Sequence, residues 1–377
     1  MSDPPRAAEF FAGIGLMRAG LEAGGFRVVW ANDIEPKKED IYGRNFGAGE
    51  YTLGDVRDVR SNDIPDIDLA TASFPCTDLS LAGHRSGLGR AAQDHARSDG
   101  SSMFWEFARV LDEMADRRPP VLLLENVLGF ASSKGGSDLV EAVLTLNELG
   151  YSCDLFTIDA RHFVPQSRPR LFIVGLANPR PEDHVHGSVS IPPWLARLVL
   201  AAPKARLHHR ALSPLPAGPP DLNGIVESSE SPGLGWWDGH RIDRFVESLS
   251  DLNHQRLQTL MRQRNVVRRT AYRRTRQGRA VWEIRPDGIA GCLRTARGGS
   301  SKQALVEAGR GELRIRLLTP REYARLMGAP RFELGARTTN ALYGLGDAVC
   351  VPVIKWLCDH YLAADARAAH LTAVAAD

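Results

Sequence analysis

The stretch from Ala7 to Glu35 restricts the fold more than any other part of the chain. Ala7 to Ala12 is a short apolar run that enters Gly13-Ile14-Gly15, and Leu16 to Ala23 has helical spacing. Gly24-Gly25 stops the helix, and Phe26 to Ala31 is a second apolar run ending in Asn32-Asp33-Ile34-Glu35. Strand, glycine turn, helix, strand, acidic residue is the layout of a nucleotide-binding βαβ unit, which commits the chain to a parallel sheet covered by helices. An acidic side chain about 20 residues beyond the glycines is placed to hold ribose hydroxyls, and Asp33 fits that role. The dinucleotide pattern G-x-G-x-x-G is broken, because Arg18 occupies the third glycine position. A pyrophosphate site is disfavoured; an adenosyl ligand without phosphates remains. Gly54-Asp55 repeats the arrangement one unit later. Asp55 reads either as an acceptor for an adenine amino group or as a turn or cap residue.

The run Asp68 to Ala72 brings Ser73-Phe74-Pro75-Cys76 to the carboxyl end of a strand, the edge of an open α/β sheet where ligands bind. Proline fixes φ and lacks a backbone donor, so the chain turns there and holds the next thiol in one direction. The polar segment His84 to Gly100 reads as a loop able to close over it. Cys76 is a candidate nucleophile on these grounds, the alternative being a buried structural cysteine. Helical sequence from Ser101 to Asp116 leads to an apolar run that ends in Glu125-Asn126-Val127. A carboxylate finishing a core strand is costly unless it has a partner. Ser137 to Leu149 reads as a helix with a serine N-cap and Gly150 as its stop. Two further strands, Tyr151 to Asp159 and Leu171 to Leu176, flank Gln166-Ser167-Arg168-Pro169-Arg170. Alternation points Gln166, Arg168 and Arg170 to one face. Adjacent guanidiniums need an anion between them, so this segment reads as a clamp near Glu125 or as a solvated basic face.

The 377 residues, 43% hydrophobic, suit two domains or one large domain with an insertion. Apolar runs look too short to span a bilayer, and Met-Ser-Asp-Pro-Pro is no signal peptide. Five cysteines without C-x-x-C spacing argue against a disulfide framework and against a zinc site, so a reducing cytoplasm fits and no metal is expected. A net charge of +2 does not mark a nucleic-acid binder, so any such function must come from local clustering. That clustering is in the middle of the chain. Pro179 to about Gly235 is rich in Pro, Gly, Ser and His and reads as irregular. Arg262 through Arg279 then holds many arginines and no acidic residue, with Tyr272 inside and Trp282 just beyond. Such a run resembles a phosphate-backbone footprint, or else is a solvated face. Arg294 and Arg297 follow in the Gly-rich loop Cys292 to Ser300. This block lacks βαβ alternation and reads as a separate module, 179–311, between 1–178 and 312–377. Order returns with Thr319 capping a helix that starts at Pro320 and runs to Met327. Leu342 to Pro352 leads into an apolar helix ending near Leu362.

Taken together, these segments resemble the C5-cytosine DNA methyltransferase family over roughly Glu9 to Leu176 and Asp287 to Leu362. Phe11-Ala12-Gly13-Ile14-Gly15 resembles its cofactor loop, Pro75-Cys76 its nucleophile, Glu125-Asn126-Val127 its acid, and Gln166-x-Arg168-x-Arg170 its base-supporting strand. The resemblance implies a doubly wound, mostly parallel α/β domain binding S-adenosylmethionine, plus a smaller, irregular target-recognition domain. Phe11 would stack on adenine, Asp33 hold the ribose and Asp55 the adenine amino group, with Gly13, Gly15, Ile34, Pro75 and Asp347 completing the site. Cys76 would be the nucleophile and Glu125 the acid, oriented by Arg168 and Arg170. Contacts to double-stranded DNA fall to Arg268, Arg269, Arg273, Arg294 and Arg297, and to Ser80. A monomer, in a restriction or phage-defence setting, is the expected context.

Some positions depart from the family pattern. Glu9 stands where Asp is usual, and Ser73 and Thr77 flank Pro-Cys where Gly or Pro and Gln are commoner. Cys292-Leu293 replaces a Thr-Leu pair, and Asp347 replaces Asn. Two rival readings are a tRNA cytosine methyltransferase, which would share the large domain, and a catalytically inert DNA-binding regulator. The long basic module favours DNA, and the intact Cys76, Glu125, Arg168 and Arg170 favour catalysis.

Overall fold

Seven short segments, most of them apolar, pair into one sheet in a computed structural model that describes residues 3–75, 102–180, 192–200, 204–219, 221–295 and 302–374. Cys76, Thr77, Ser80, Arg297 and the segment His84 to Gly100 lie outside the described residues. The strands are β1 (Arg6–Phe10), β2 (Arg27–Asp33), β3 (Tyr51–Leu53), β4 (Leu69–Ala72), β5 (Val121–Val127), β6 (Ser152–Asp159) and β7 (Pro169–Leu176). Their order is β3-β2-β1-β4-β5-β7-β6. Pairing is parallel from β3 through to β5, and β7 runs antiparallel to β5. Strands such as Leu69-Ala70-Thr71-Ala72 are buried throughout, as expected where helices cover both faces. The chain steps outward from β1 to β3 and then returns to β4 on the other side of β1. That reversal makes the carboxyl ends of β1 and β4 the switch point, where open α/β sheets bind ligands.

The core fixes this sheet edge. Phe10 lies 4.9 Å from Trp30 and 5.0 Å from Phe107, ring centre to ring centre, within the main apolar cluster. A smaller cluster of Ala12, Ala31, Tyr42 and Tyr51 sits beneath the glycine loop, with Phe46 against it. Arg18 is buried there. Its guanidinium stacks 4.7 Å from the Phe46 ring and donates to Tyr42 Oη at 3.1 Å. The third position of the broken glycine pattern is thus filled by a packed cation.

The chain divides into two compact units: Met1–Ile158 with Pro169–Pro214 and Val353–Asp377, and Asp159–Arg168 with Leu215–Pro352. The second unit holds an antiparallel sheet of β8 (Val267–Arg276), β9 (Arg279–Ile284), β10 (Ala304–Gly309) and β11 (Glu312–Leu317), ordered β11-β10-β8-β9. Phe245 and Leu257, from the helices Gly239–Glu247 and Asp251–Met261, join its core with Ala271, Ile284 and Val306. The smaller module is therefore built on regular strands. Arginines at 268, 269, 273 and 274 fall on both faces of β8 and hide its alternation. Thr319 and Glu322 form a capping box at the helix Pro320–Leu326, and Arg316 pairs with Glu322 in full burial.

Two local expectations change. Ser137 is the first residue of its helix, and Gly136, at φ 98°, occupies the cap position. The C-terminal stretch Thr338–Ala368 is long and apolar enough to cross a membrane by length and composition, yet 67% of its apolar window is buried inside the protein. It is also interrupted at 348–350.

Candidate active site

At the end of β1 the backbone turns sharply, with φ of 58° at Phe11, 61° at Gly13 and 88° at Gly15. Phe11 is the costly member of this set, since a bulky aromatic residue rarely adopts that region. At Gly15 a Cβ would lie 2.6 Å from the Phe46 ring, so only glycine fits. At Gly13 a Cβ would meet nothing within 4 Å. Asp33, at the end of β2, straps the loop down: one carboxylate oxygen accepts from Gly13 N at 2.9 Å, the other from Glu35 N at 2.9 Å. Lys38 Nζ sits 3.6 Å from it. A carboxylate has about four acceptor directions, so room remains for ribose hydroxyls. Ile34, next along, is a large apolar side chain that is 63% exposed. The open side of Gly13, the bare Ile34 and the anchored Asp33 fit an adenosyl group. Asp55 accepts from Arg57 N at 3.0 Å and caps a short helical turn, which uses one of its oxygens.

Beneath the loop lies Glu9. Its carboxyl is 1% exposed, and no side chain among the described residues hydrogen-bonds either oxygen. Burial pushes it well above its usual range, with the nearby Arg18 pulling the other way. The Tyr51 hydroxyl is buried and unpartnered as well.

The second cluster forms where β4 and β5 end together. Register pairs Ala72 with Leu124, which sets Glu125 beside Ser73. Across β5, Val127 pairs with Arg170 of β7, and this diagonal brings Arg170 Nε to 2.9 Å from Glu125 Oε1. The partner that a buried carboxylate requires is therefore Arg170. Asn126 Nδ2 donates to Phe74 O at 3.2 Å, while its own Oδ1 accepts from Val127 N at 2.8 Å. Asn126 thus clamps the β4 end immediately before exposed Pro75. Sequence reading quoted this asparagine without giving it a task; a polar amide directly after a strand-end carboxylate was the available signal.

Gln166 and Arg168 have other partners. Gln166 is fully buried, donating to Leu326 O at 2.8 Å and accepting from Leu293 N at 3.0 Å. Arg168 donates to the carbonyls of Leu293 (2.8 Å), Gly346 (3.1 Å) and Ala348 (2.5 Å). It ties the 292–295 segment to the end of the helix Thr338–Asp347. The crossing is tight, since a Cβ on Gly346 would lie 2.5 Å from Arg294 backbone atoms. Thr295 donates its hydroxyl to Asp347 there, a bond that an Asn oxygen could also accept. Cys292 Sγ lies 3.4 Å from the Arg168 guanidinium.

Burial separates the described cysteines. It pushes Cys153 and Cys358 up to about 12, which removes them as nucleophiles at neutral pH. Cys350 is buried and Cys292 half-buried. Among the basic residues, Arg268 is paired with Glu307 at 2.9 Å. Arg269 is half-buried, and burial lowers it. Arg273 and Arg294 are exposed.

An α/β sheet with a glycine turn anchored by Asp33 at its switch point, and an arginine-held carboxylate two strands away, is the frame of a methyltransferase-class domain. The chain belongs to the C-5 cytosine-specific DNA methylase family, whose sequence model matches residues 6–362. It is 27% identical to the type II methyltransferase M.HhaI of Haemophilus parahaemolyticus over 93% of this chain and 92% of that protein. It is 32% identical to the type II methyltransferase M.MspI of Moraxella sp., a match covering 50% of this chain and 42% of that one. The S. pombe Dnmt2 methyltransferase shares the fold, with a TM-score of 0.59 at 17% identity, over 94% of this chain and 97% of that one.

Proposed function

We propose that this protein transfers a methyl group from S-adenosylmethionine to C5 of cytosine within a specific DNA sequence. The observation that carries this reading is the pair Glu125–Arg170, held at 2.9 Å beside the strand end that leads to Pro75 and Cys76. Phe11, Gly13, Gly15, Asp33, Ile34, Asp55 and Pro75 would hold the donor. When bound, S-adenosylmethionine supplies an electrophilic methyl group. The parallel sheet carries the chemistry, and the antiparallel sheet reads DNA.

Cytosine C5 is a poor nucleophile, and the chain's own side chains must change that. The target base leaves the duplex stack at a cost of a few kcal/mol. Ionised Cys76 adds to C6, and the electron pair of the C5–C6 bond moves toward C5 and the ring's N3 and O2. Glu125, oriented by Arg170, accepts from the amino group and, when it carries a proton, donates that proton to N3 as the charge forms, taking it back when the double bond returns. C5 takes the methyl group as its bond to the sulfonium sulfur breaks, leaving a neutral thioether; a base removes the C5 proton, and the released pair re-forms the double bond as Cys76 leaves.

The test is a duplex carrying 5-fluorocytosine at the target, since fluorine cannot leave as a proton. Wild type should be trapped covalently through Cys76, and Cys76→Ser should bind cofactor and DNA without forming an adduct. An adduct mapped to Cys292, or methyl transfer by Cys76→Ser, overturns the assignment.

A further inference from the structure

The hairpin formed by β8 and β9 is a ribbon that leaves its sheet. β8 pairs with β10 only from Val267 to Ala271, whereas its pairing with β9 continues to Arg276 opposite Arg279. Residues 273–280 are all exposed. The ribbon closes through Gln277 and Gly278, at φ 49° and 77°. Two successive positive values are what a two-residue type I′ turn requires, and its twist suits paired strands. The base is anchored: Trp282 lies 5.6 Å from both Trp237 and Phe245, and Ile284 is buried. A two-stranded ribbon gains little stability on its own, so a bare, well-anchored one points to a use at its tip.

Its charge is one-sided. Between 272 and 283 stand Arg273, Arg274, Arg276 and Arg279 against Glu283 alone. Register places Tyr272 with Glu283, Arg274 with Val281, and Arg276 with Arg279 on one face. On that face Glu283 binds Arg276 at 2.7 Å and Arg274 at 3.4 Å, and Arg274 lies 4.9 Å over the Tyr272 ring. One carboxylate cannot neutralise three arginines, but it does fix two of them. Arg276 uses Nε and Nη2 on Glu283 Oε1, which leaves its Nη1–Nη2 edge to donate elsewhere. A guanidinium held this way offers two parallel donors, the pattern that matches O6 and N7 of guanine. Two strands about 4.8 Å apart fit the B-DNA major groove, which is about 12 Å wide and admits a β-ribbon.

We infer that the β8–β9 ribbon enters the major groove of the target duplex, where Arg276, oriented by Glu283, contacts guanine and Arg273 and Arg279 bind flanking phosphates. This rests on the DNA-methylating reading above. Arg276 is the reader rather than Arg274 because it lies nearer the tip and is the more exposed of the two.

The test starts from bisulfite sequencing of a methylation-free host expressing wild type, which defines the methylated context. Duplexes of that context and of random sequence are then bound to purified wild type, Arg276→Ala, Glu283→Gln and Arg279→Ala. Arg276→Ala should lose about 5- to 150-fold in preference for the target duplex, with one G·C position of the context relaxed in the host. Glu283→Gln should shift in the same direction. 7-Deazaguanine at that position should weaken wild type and leave Arg276→Ala unaffected. Arg279→Ala should weaken both duplexes alike and lower the salt slope by about one unit. Unchanged S-adenosylmethionine binding by calorimetry shows that each variant is folded. Wild-type context and preference in Arg276→Ala, or no effect of 7-deazaguanine on wild type, overturns the ribbon alone. Equal binding of an A-form RNA duplex also overturns it, since that deep, narrow groove excludes side chains. A wild type that methylates no cytosine instead overturns the functional reading beneath it.

Discussion

Glu9 on β1 and Glu125 on β5 are both nearly free of solvent, at 1% and 6% exposure, in one sheet with only β4 between them. Their surroundings differ completely. Register sets Glu9 level with Thr71 and Leu123, so Glu125 lies two rows nearer the carboxyl edge of the sheet, where antiparallel β7 delivers Arg170. Glu9, in the deeper row, stands opposite Ala31 and Thr71, and neither neighbour offers a cation. Arg18 acts on Glu9 electrostatically and through its main-chain N–H, but its guanidinium donates to Glu22, Tyr42 and Glu50. The contrast is one of position in the sheet. A strand that reverses direction can carry a cation to the carboxyl edge of the sheet, while parallel neighbours leave the deeper row of side chains without one. One carboxyl is thereby held in an ion pair, and the other is buried without one.

The most damaging way to break this contrast is to make Glu125 resemble Glu9. Arg170→Met should lower methyl transfer by about 10²–10³, the scale of one lost electrostatic stabiliser. It should also cost about 3–5 kcal/mol of stability, because a buried charge has lost its partner. Adding Glu125→Gln should restore most of the stability and none of the activity, and Arg170→Lys should recover part of both. Single-turnover rates with chemical denaturation separate these outcomes. A double variant as unstable as Arg170→Met would show that pairing is not what Arg170 supplies.

A smaller effect tests the edge itself. Asn126→Ala removes the donor to Phe74 O and should cost about 1–3 kcal/mol. The turn before Cys76 then loosens, so kcat should fall while cofactor affinity holds. Asn126→Asp should do the same, since a carboxylate has no N–H to give. An unchanged kcat with a raised KM for S-adenosylmethionine would place Asn126 in binding instead.

How much of this was legible in the sequence follows from where each signal resides. The βαβ unit could be read because apolar runs and glycines are local. Helix Leu16–Ala23 falls where its spacing put it. That Glu125 needs a partner was also legible, but Arg168 and Arg170 looked equivalent. Only the pairing of Val127 with Arg170 marks out one of them. The partners of Arg168 include main-chain carbonyls 125, 178 and 180 residues further on, at Leu293, Gly346 and Ala348, and carbonyls leave no mark in a sequence. Strand β8 was hidden by its own arginines, which break the polar–apolar alternation that reveals a strand.

The mildest test converts Glu9 toward neutrality and should help the protein. Burial raises the Glu9 carboxyl well above its ordinary value of 4.5. In the unfolded chain it ionises near that value; in the folded chain it keeps its proton to higher pH. The folded state therefore binds the extra proton, and stability falls as pH rises from about 4.5 toward the folded value. Below that window the group contributes no penalty. Glu9→Gln cannot ionise, so it should melt higher than wild type at pH 7 to 8, by roughly 2–4 °C per kcal/mol relieved. The gain should vanish near pH 4. Glu9→Asp keeps the titration and should retain the pH dependence. Melting curves for the three proteins across pH 4–8 decide the point. A Glu9→Gln gain that is the same at every pH would mean that packing, not the proton, sets the cost of this carboxyl.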